Sequence, residues 1–67
     1  MRRVKFKFPS YEDREKAANQ LYYQCGGYSA YETNGCSYEE IYLLSTITDL
    51  AAGMQICVAN GGVRIDL

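Results

Sequence analysis

From Arg3 to Phe8 the chain alternates. Val4, Phe6 and Phe8 fall on one side, and Arg3, Lys5 and Lys7 on the other. A period of two is the pattern of a strand with one buried face, and Pro9, with no N–H to give to a ladder, ends it. Ser10 then stands as a helix N-cap, with Asp13 at the third helical position as a short form of the capping box. Glu12, Asp13 and Glu15 complement the positive end of the helix dipole. Tyr11, Ala18, Leu21, Tyr22 and Cys25 share a helical face, and Gly26-Gly27 closes the helix, since glycine accepts the left-handed conformation of a C-terminal cap. Tyr28 to Thr33 reads as a second strand. Asn34-Gly35 follows as a two-residue type I′ hairpin turn. Cys36 to Ser45 is the returning strand, with Ile41 and Leu43 inward and Tyr42 outward. Thr46 with Asp49 repeats the cap pattern before a second helix, whose stripe is Ile47, Leu50, Met54, Cys57 and Val58. Asn60-Gly61-Gly62 ends that helix. Val63, Ile65 and Leu67 then alternate with Arg64 and Asp66 as a last strand.

The order is strand, helix, strand, strand, helix, strand, and the two halves echo each other: Ser10, Asp13 and a closing glycine pair recur as Thr46, Asp49 and a second glycine pair. Two such halves joined by a hairpin give the split βαβ or ferredoxin-like arrangement. That is an α+β two-layer sandwich, with both helices on one face of a four-stranded antiparallel sheet. One alternative competes. Ser37 with Glu40 is itself a capping box, and Leu43, Ile47, Leu50, Met54, Cys57 and Val58 also fit one unbroken helix over 37–59. The order would then be βαβαβ with three strands. Thr46-Ile47-Thr48 opposes it, because stiff β-branched side chains disfavour a helix interior, and the four-strand reading is preferred.

At 67 residues there is room for one domain, 1–67, with a thin stability margin. There is no His, so Ser–His and Cys–His nucleophile pairs cannot be built. The three cysteines, Cys25, Cys36 and Cys57, make neither a disulfide framework nor a CxxC motif, which argues against zinc and thioredoxin-like sites. They read as small buried or half-buried side chains in a reducing compartment. Metal chaperones share this element order but carry two cysteines between the first strand and first helix, where this chain has Phe8-Pro9-Ser10-Tyr11. Acylphosphatase-type chemistry would place a Gly-rich loop and an Arg there. Both glycine pairs follow helices, where glycine terminates, whereas a phosphate cradle needs them before a helix. The expectation is a non-catalytic protein with no metal and no cofactor. Met1-Arg2-Arg3 leads into alternation, not an apolar run, and no stretch approaches the roughly 20 apolar residues of a membrane span. The expected location is the cytoplasm.

The sheet face left open by the helices is the candidate site. It would carry Arg3, Lys5 and Lys7, then Ser29 and Tyr31, then Tyr38, Glu40, Tyr42 and Leu44, and finally Arg64 and Asp66. Tyr31 would face Tyr38 across the hairpin, and the lysines of a central first strand would lie beside Tyr42. The residues expected to bind a partner are Arg3, Lys5, Lys7, Tyr31, Tyr38, Glu40, Tyr42 and Arg64. Seven Tyr against two Phe and no Trp suit an interface, and a net charge of −1 gives no reason to expect bulk nucleic acid. A protein-binding module is the leading reading, with Tyr28 to Thr33 as an edge strand open to a partner or to a second copy in a homodimer. A free-standing inhibitor is one form of it. Phage and mobile-element anti-defence proteins, anti-CRISPR proteins among them, are similar to this chain in size and general type, though not in any motif. Two other readings stand beside it. Interleaved Tyr and Lys could stack single-stranded nucleic acid, although the RNP1 pattern is absent. A regulatory domain of this topology could sense a small ligand. The plain alternative is a solvated face stabilised by its own cross-strand pairs.

Overall fold

The computed structural model describes residues 3–44 and 50–66. Thr46, Ile47 and Asp49, the expected start of the second helix, and Leu67 lie outside the described residues. The elements run β1 (Arg3–Lys7), α1 (Tyr11–Gln24), a 3-10 turn (Gly27–Ser29), β2 (Tyr31–Glu32), β3 (Glu40–Leu44), α2 (Leu50–Ala59) and β4 (Val63–Arg64). The strands form one antiparallel sheet in the order β2-β3-β1-β4. α1 and α2 pack against each other and against β3. The fold is the ferredoxin-like two-layer α+β sandwich, and Glu40–Leu44 is a strand and not part of a long helix.

The core is built from the alternation in β1. Val4 pairs with Leu43 and Phe6 with Ile41, all on the helix side and all buried. Phe8, Ala17, Leu21, Ala30 and Cys57 complete the cluster, and Tyr31, Cys25, Leu50, Met54 and Ile56 pack against it. The N-cap of α1 forms as expected: Ser10 Oγ accepts from the Asp13 N–H at 3.2 Å. The buried stripe of α1 is Arg14, Ala17, Ala18 and Leu21. Tyr11 and Tyr22, expected on that face, are exposed. On α2, Val58 is likewise exposed, while Gly53 and Ile56 turn inward.

The second strand is shorter than the sequence suggests. Gly26 and Gly27 take φ of 100° and 76°, and the chain coils on through Ser29, whose Oγ donates to the Gly26 carbonyl at 2.8 Å. Such local side-chain bonds compete with a ladder. The edge offered by β2 is therefore Tyr31–Glu32, not Tyr28 to Thr33. The returning strand is also shortened. Gly35 alone of its turn takes a positive φ, 80°, and the Cys36 N–H donates to the Thr33 carbonyl. One positive φ is a type II pattern; type I′ needs two. A second turn follows at once. The Glu40 N–H donates to the Ser37 carbonyl, and the Ser37 N–H donates to the Glu40 carboxylate at 3.2 Å. The Ser-x-x-Glu pattern that could start a helix closes a turn instead, and β3 begins at Glu40. Tyr31 consequently lies opposite Leu43 and not opposite Tyr38.

The last strand is inverted relative to expectation. The Gly62 N–H donates to Cys57 O and the Gly61 N–H to Val58 O, the paired bonds of a Schellman end. A Cβ on Gly62 would stand 2.7 Å from the Cys57 carbonyl oxygen and 2.8 Å from the Phe8 ring, so glycine occupies the inward position there. The next residues follow out, in, out. Val63 lies opposite Lys7 and is 63% exposed, while Arg64 lies opposite Phe6. A one-residue slip moves every side chain to the other face.

Candidate functional site

Two polar surfaces result. On the open sheet face the structure brings together Arg3, Lys5, Lys7, Glu40 and Tyr42 of the expected site, and adds Glu32, Val63 and Ile65. Arg3 pairs with Glu32 at 3.1 Å and Lys5 with Glu40 at 3.3 Å. Both cations lie over the Tyr42 ring, at 4.6 and 5.3 Å from its centroid. The Ser37 N–H, ahead of Lys5, holds the Glu40 carboxyl below its ordinary range, and the bond to Glu40 raises Lys5. Cross-strand neighbours thus absorb most of the charge on this face. Three expected members are elsewhere. Arg64 pairs with Asp66 at 2.8 Å on the edge strand. Tyr31 faces the core side, where burial raises its hydroxyl pKa. Tyr38 sits in the turn before β3, its ring 6.0 Å from that of Tyr11 in an edge-on contact. Ser29 is in the 3-10 turn, and Leu44 is buried.

The second surface is a groove of about 640 Å³ between α1 and the segment 28–34. Tyr11, Arg14, Glu15 and Asn19 line it from the helix; Tyr28, Tyr31, Glu32 and Asn34 line it from the other side. Tyrosine rings continue beyond it: Tyr22 lies 5.0 Å from both Tyr23 and Tyr28, edge-on, and Tyr28 lies 6.1 Å from Tyr31. Tyr23, Tyr28 and Tyr38 are each more than three-quarters exposed. Every tyrosine except Tyr42 belongs to this side.

Arg14 is the residue that the sequence reading passed over. It stands at i, i+3, i+4 and i+7 with Ala17, Ala18 and Leu21, which is the spacing of a buried stripe. Only its charge hides it from a search for apolar positions. Its residue is 9% exposed, its Nη1 donates to the adjacent Glu15 at 2.9 Å, and its guanidinium lies 5.3 Å from the Tyr11 ring centroid. Its Nε is enclosed and meets no acceptor. An unpaired buried donor costs about 1–3 kcal/mol.

The three cysteines are free thiols. Burial, with the Cys25 thiol nearby, pushes Cys57 up to about 12, so it packs as an inert apolar group. Among the described residues no group of three or more His, Cys, Asp or Glu could hold a metal ion, and no helix is long and apolar enough to cross a membrane. No protein-family model matches the chain, and no curated protein or solved structure matches it at a significant level.

Proposed function

We propose that this domain is a non-catalytic protein-binding module, and that its docking surface is the tyrosine-lined side of α1 rather than the open sheet face. The observation that carries this reading is the run of exposed tyrosines flanking a groove. Tyrosine gives large contact area at low conformational cost and is enriched where proteins meet. The open face is a poorer candidate, because two of its cations, Arg3 and Lys5, are already engaged with Glu32, Glu40 and Tyr42. The engaged Tyr42 ring also disfavours base stacking on that face. A free-standing inhibitor is one form of such a module.

The test is affinity capture from lysate with and without nuclease, comparing two paired variants. Tyr28→Ala with Tyr38→Ala should reduce recovery of a defined partner on the order of tenfold or more, as for residues that anchor an interface. Lys5→Ala with Tyr42→Ala should leave recovery nearly unchanged. The reverse ranking would move the surface to the sheet. Capture that disappears with nuclease would replace the protein partner by a single-stranded nucleic acid.

A further inference from the structure

We infer that the groove beside α1 receives one extended strand of a partner protein, added to the free edge of β2 and carrying uncharged side chains inward. The inference rests on the protein-binding reading and deepens it. β2 is an edge of the sheet, with β3 as its one neighbour. The Leu44 N–H donates to the Ala30 carbonyl at 2.9 Å, one position before the facing pair Tyr31–Leu43. Hydrogen-bonded and non-hydrogen-bonded pairs alternate along an antiparallel ladder. Tyr31–Leu43 is therefore a non-hydrogen-bonded pair, and the Tyr31 N–H and C=O point away from β3. Outward edge groups of this kind are a template for strand addition. The groove lies along that same edge: it runs between α1 and the segment 28–34, with Tyr31 in its lining. A strand laid on the edge would send alternate side chains toward α1 and into the groove.

The walls select the side chain. Arg14 and Glu15 already pair at 2.9 Å, and Glu32 pairs with Arg3 at 3.1 Å. An entering carboxylate would meet Glu15 and Glu32, and an entering cation would meet Arg14. An apolar or aromatic side chain opposes neither charge, and Tyr11, Tyr28 and Tyr31 in the same lining offer it ring contacts. The strand belongs to a partner and not to a second copy of this chain. A second copy's own β2 offers only Tyr31–Glu32 before the turn closed by Thr33 and Cys36, whereas the groove extends from Tyr28 to Asn34.

The test uses random peptides displayed on phage, selected on the immobilised full chain. Apolar or aromatic residues should recur two positions apart in the selected peptides. The backbone nitrogens of the best peptide are then methylated one at a time, and each affinity is measured by calorimetry. Binding should weaken on the order of tenfold at the nitrogen that donates to the Tyr31 carbonyl. It should change little at the two adjacent nitrogens, whose N–H groups point away from β2. The chain itself is unaltered throughout, so a failure to fold does not enter. Lys or Glu in place of the inward side chain should each weaken binding on the order of tenfold. The Tyr31 amide resonance of the labelled chain should shift saturably with peptide, while that of Arg64 on the opposite edge stays in place. Methylation losses without alternation, or an unmoved Tyr31 amide, overturn strand addition and leave the protein-binding reading standing. A library without a binder also overturns it, because an extended segment needs no folded partner, and the capture experiment then decides the protein-binding reading on its own. Tighter binding with Lys or Glu overturns the uncharged occupant. A peptide-free chain that is dimeric by light scattering, with a Tyr31 amide that shifts with concentration, gives the edge to a second copy and overturns the assignment to a partner.

Discussion

On the open sheet face, Arg3 reaches Glu32, Lys5 reaches Glu40, and both cations lie over Tyr42. On the α1 side, Arg14 is enclosed with an unpaired Nε beside Tyr11, and Tyr22, Tyr23, Tyr28 and Tyr38 stand exposed along the same side. The first surface pairs Arg3 and Lys5 within the sheet and leaves Lys7 to solvent. The second leaves a buried charge incompletely satisfied and large apolar rings in water. Each of those features opposes stability, and the exposed rings are what favours this side in the reading proposed above. A Lys/Tyr-rich sheet face looks functional in sequence because pairing across strands is invisible there. An arginine on a helix looks like ordinary surface because its burial is equally invisible.

The contrast is broken most thoroughly by removing the layer that both surfaces share. Leu21, on the inward face of α1, is fully buried. Leu21→Ala should cost about 2–5 kcal/mol, a large part of the stability of a domain this size. Urea denaturation followed by circular dichroism measures it. Gly62→Ala is next. Its Cβ would meet the Cys57 carbonyl and the Phe8 ring, and overpacking of this kind costs about 1–3 kcal/mol. The loss should be concentrated at β4, visible as faster amide exchange at Val63 and Ile65.

Alkaline stability separates the core from both surfaces. The folded-state pKa of Cys57 is raised from 9.0 to about 12. The unfolded chain therefore releases this proton first. Stability is fully present below pH 9 and falls as pH climbs toward 12. Cys57→Ala should reduce that slope in urea melts taken between pH 8 and 11, leaving the smaller part due to Cys36 and Tyr31, whose burial also raises them. At the acid end, the Glu40 carboxyl is lowered from 4.5, so its contribution is present above that value and lost as pH falls through the folded pKa.

Two smaller effects sharpen the contrast itself. Arg14→Met removes a buried guanidinium with an unbonded Nε, and the partner it leaves, Glu15, is exposed enough at 43% to be met by water. Thermal stability should hold or rise, because the unsatisfied Nε, a feature that costs about 1–3 kcal/mol, is gone. An equally large drop in stability would make Arg14 a structural residue. A double-mutant cycle on Arg3 and Glu32 should give a coupling of about 0.2–1 kcal/mol that shrinks with added salt.

Much of the fold was legible along the chain. The alternation in β1, the Ser10 cap and the glycine ends of both helices are local signals, and each appears where the residues place it. Ser37-x-x-Glu40 shows the limit of such signals. The same four residues can cap a helix or close a turn, and only pairing of Glu40–Leu44 with β1 selects the turn. The candidate site was legible only in part. Arg3, Lys5, Lys7, Glu40 and Tyr42 do share a face, because their alternation is sustained. Tyr31, Tyr38 and Arg64 do not join them, because each depends on a register set by its turn.

The sequence by itself determined β1 with its inward set, α1 with its Ser10 cap, and the lack of histidine chemistry, since these follow from spacing and residue type alone. Tertiary structure decided where β2 and β3 begin, which face β4 presents, and that Arg14 is buried. The physical reason is the same in each case. Strand register is fixed by contacts between distant residues, as where Gly62 meets Phe8 and Cys57, and a shift of one position exchanges the two faces of a strand.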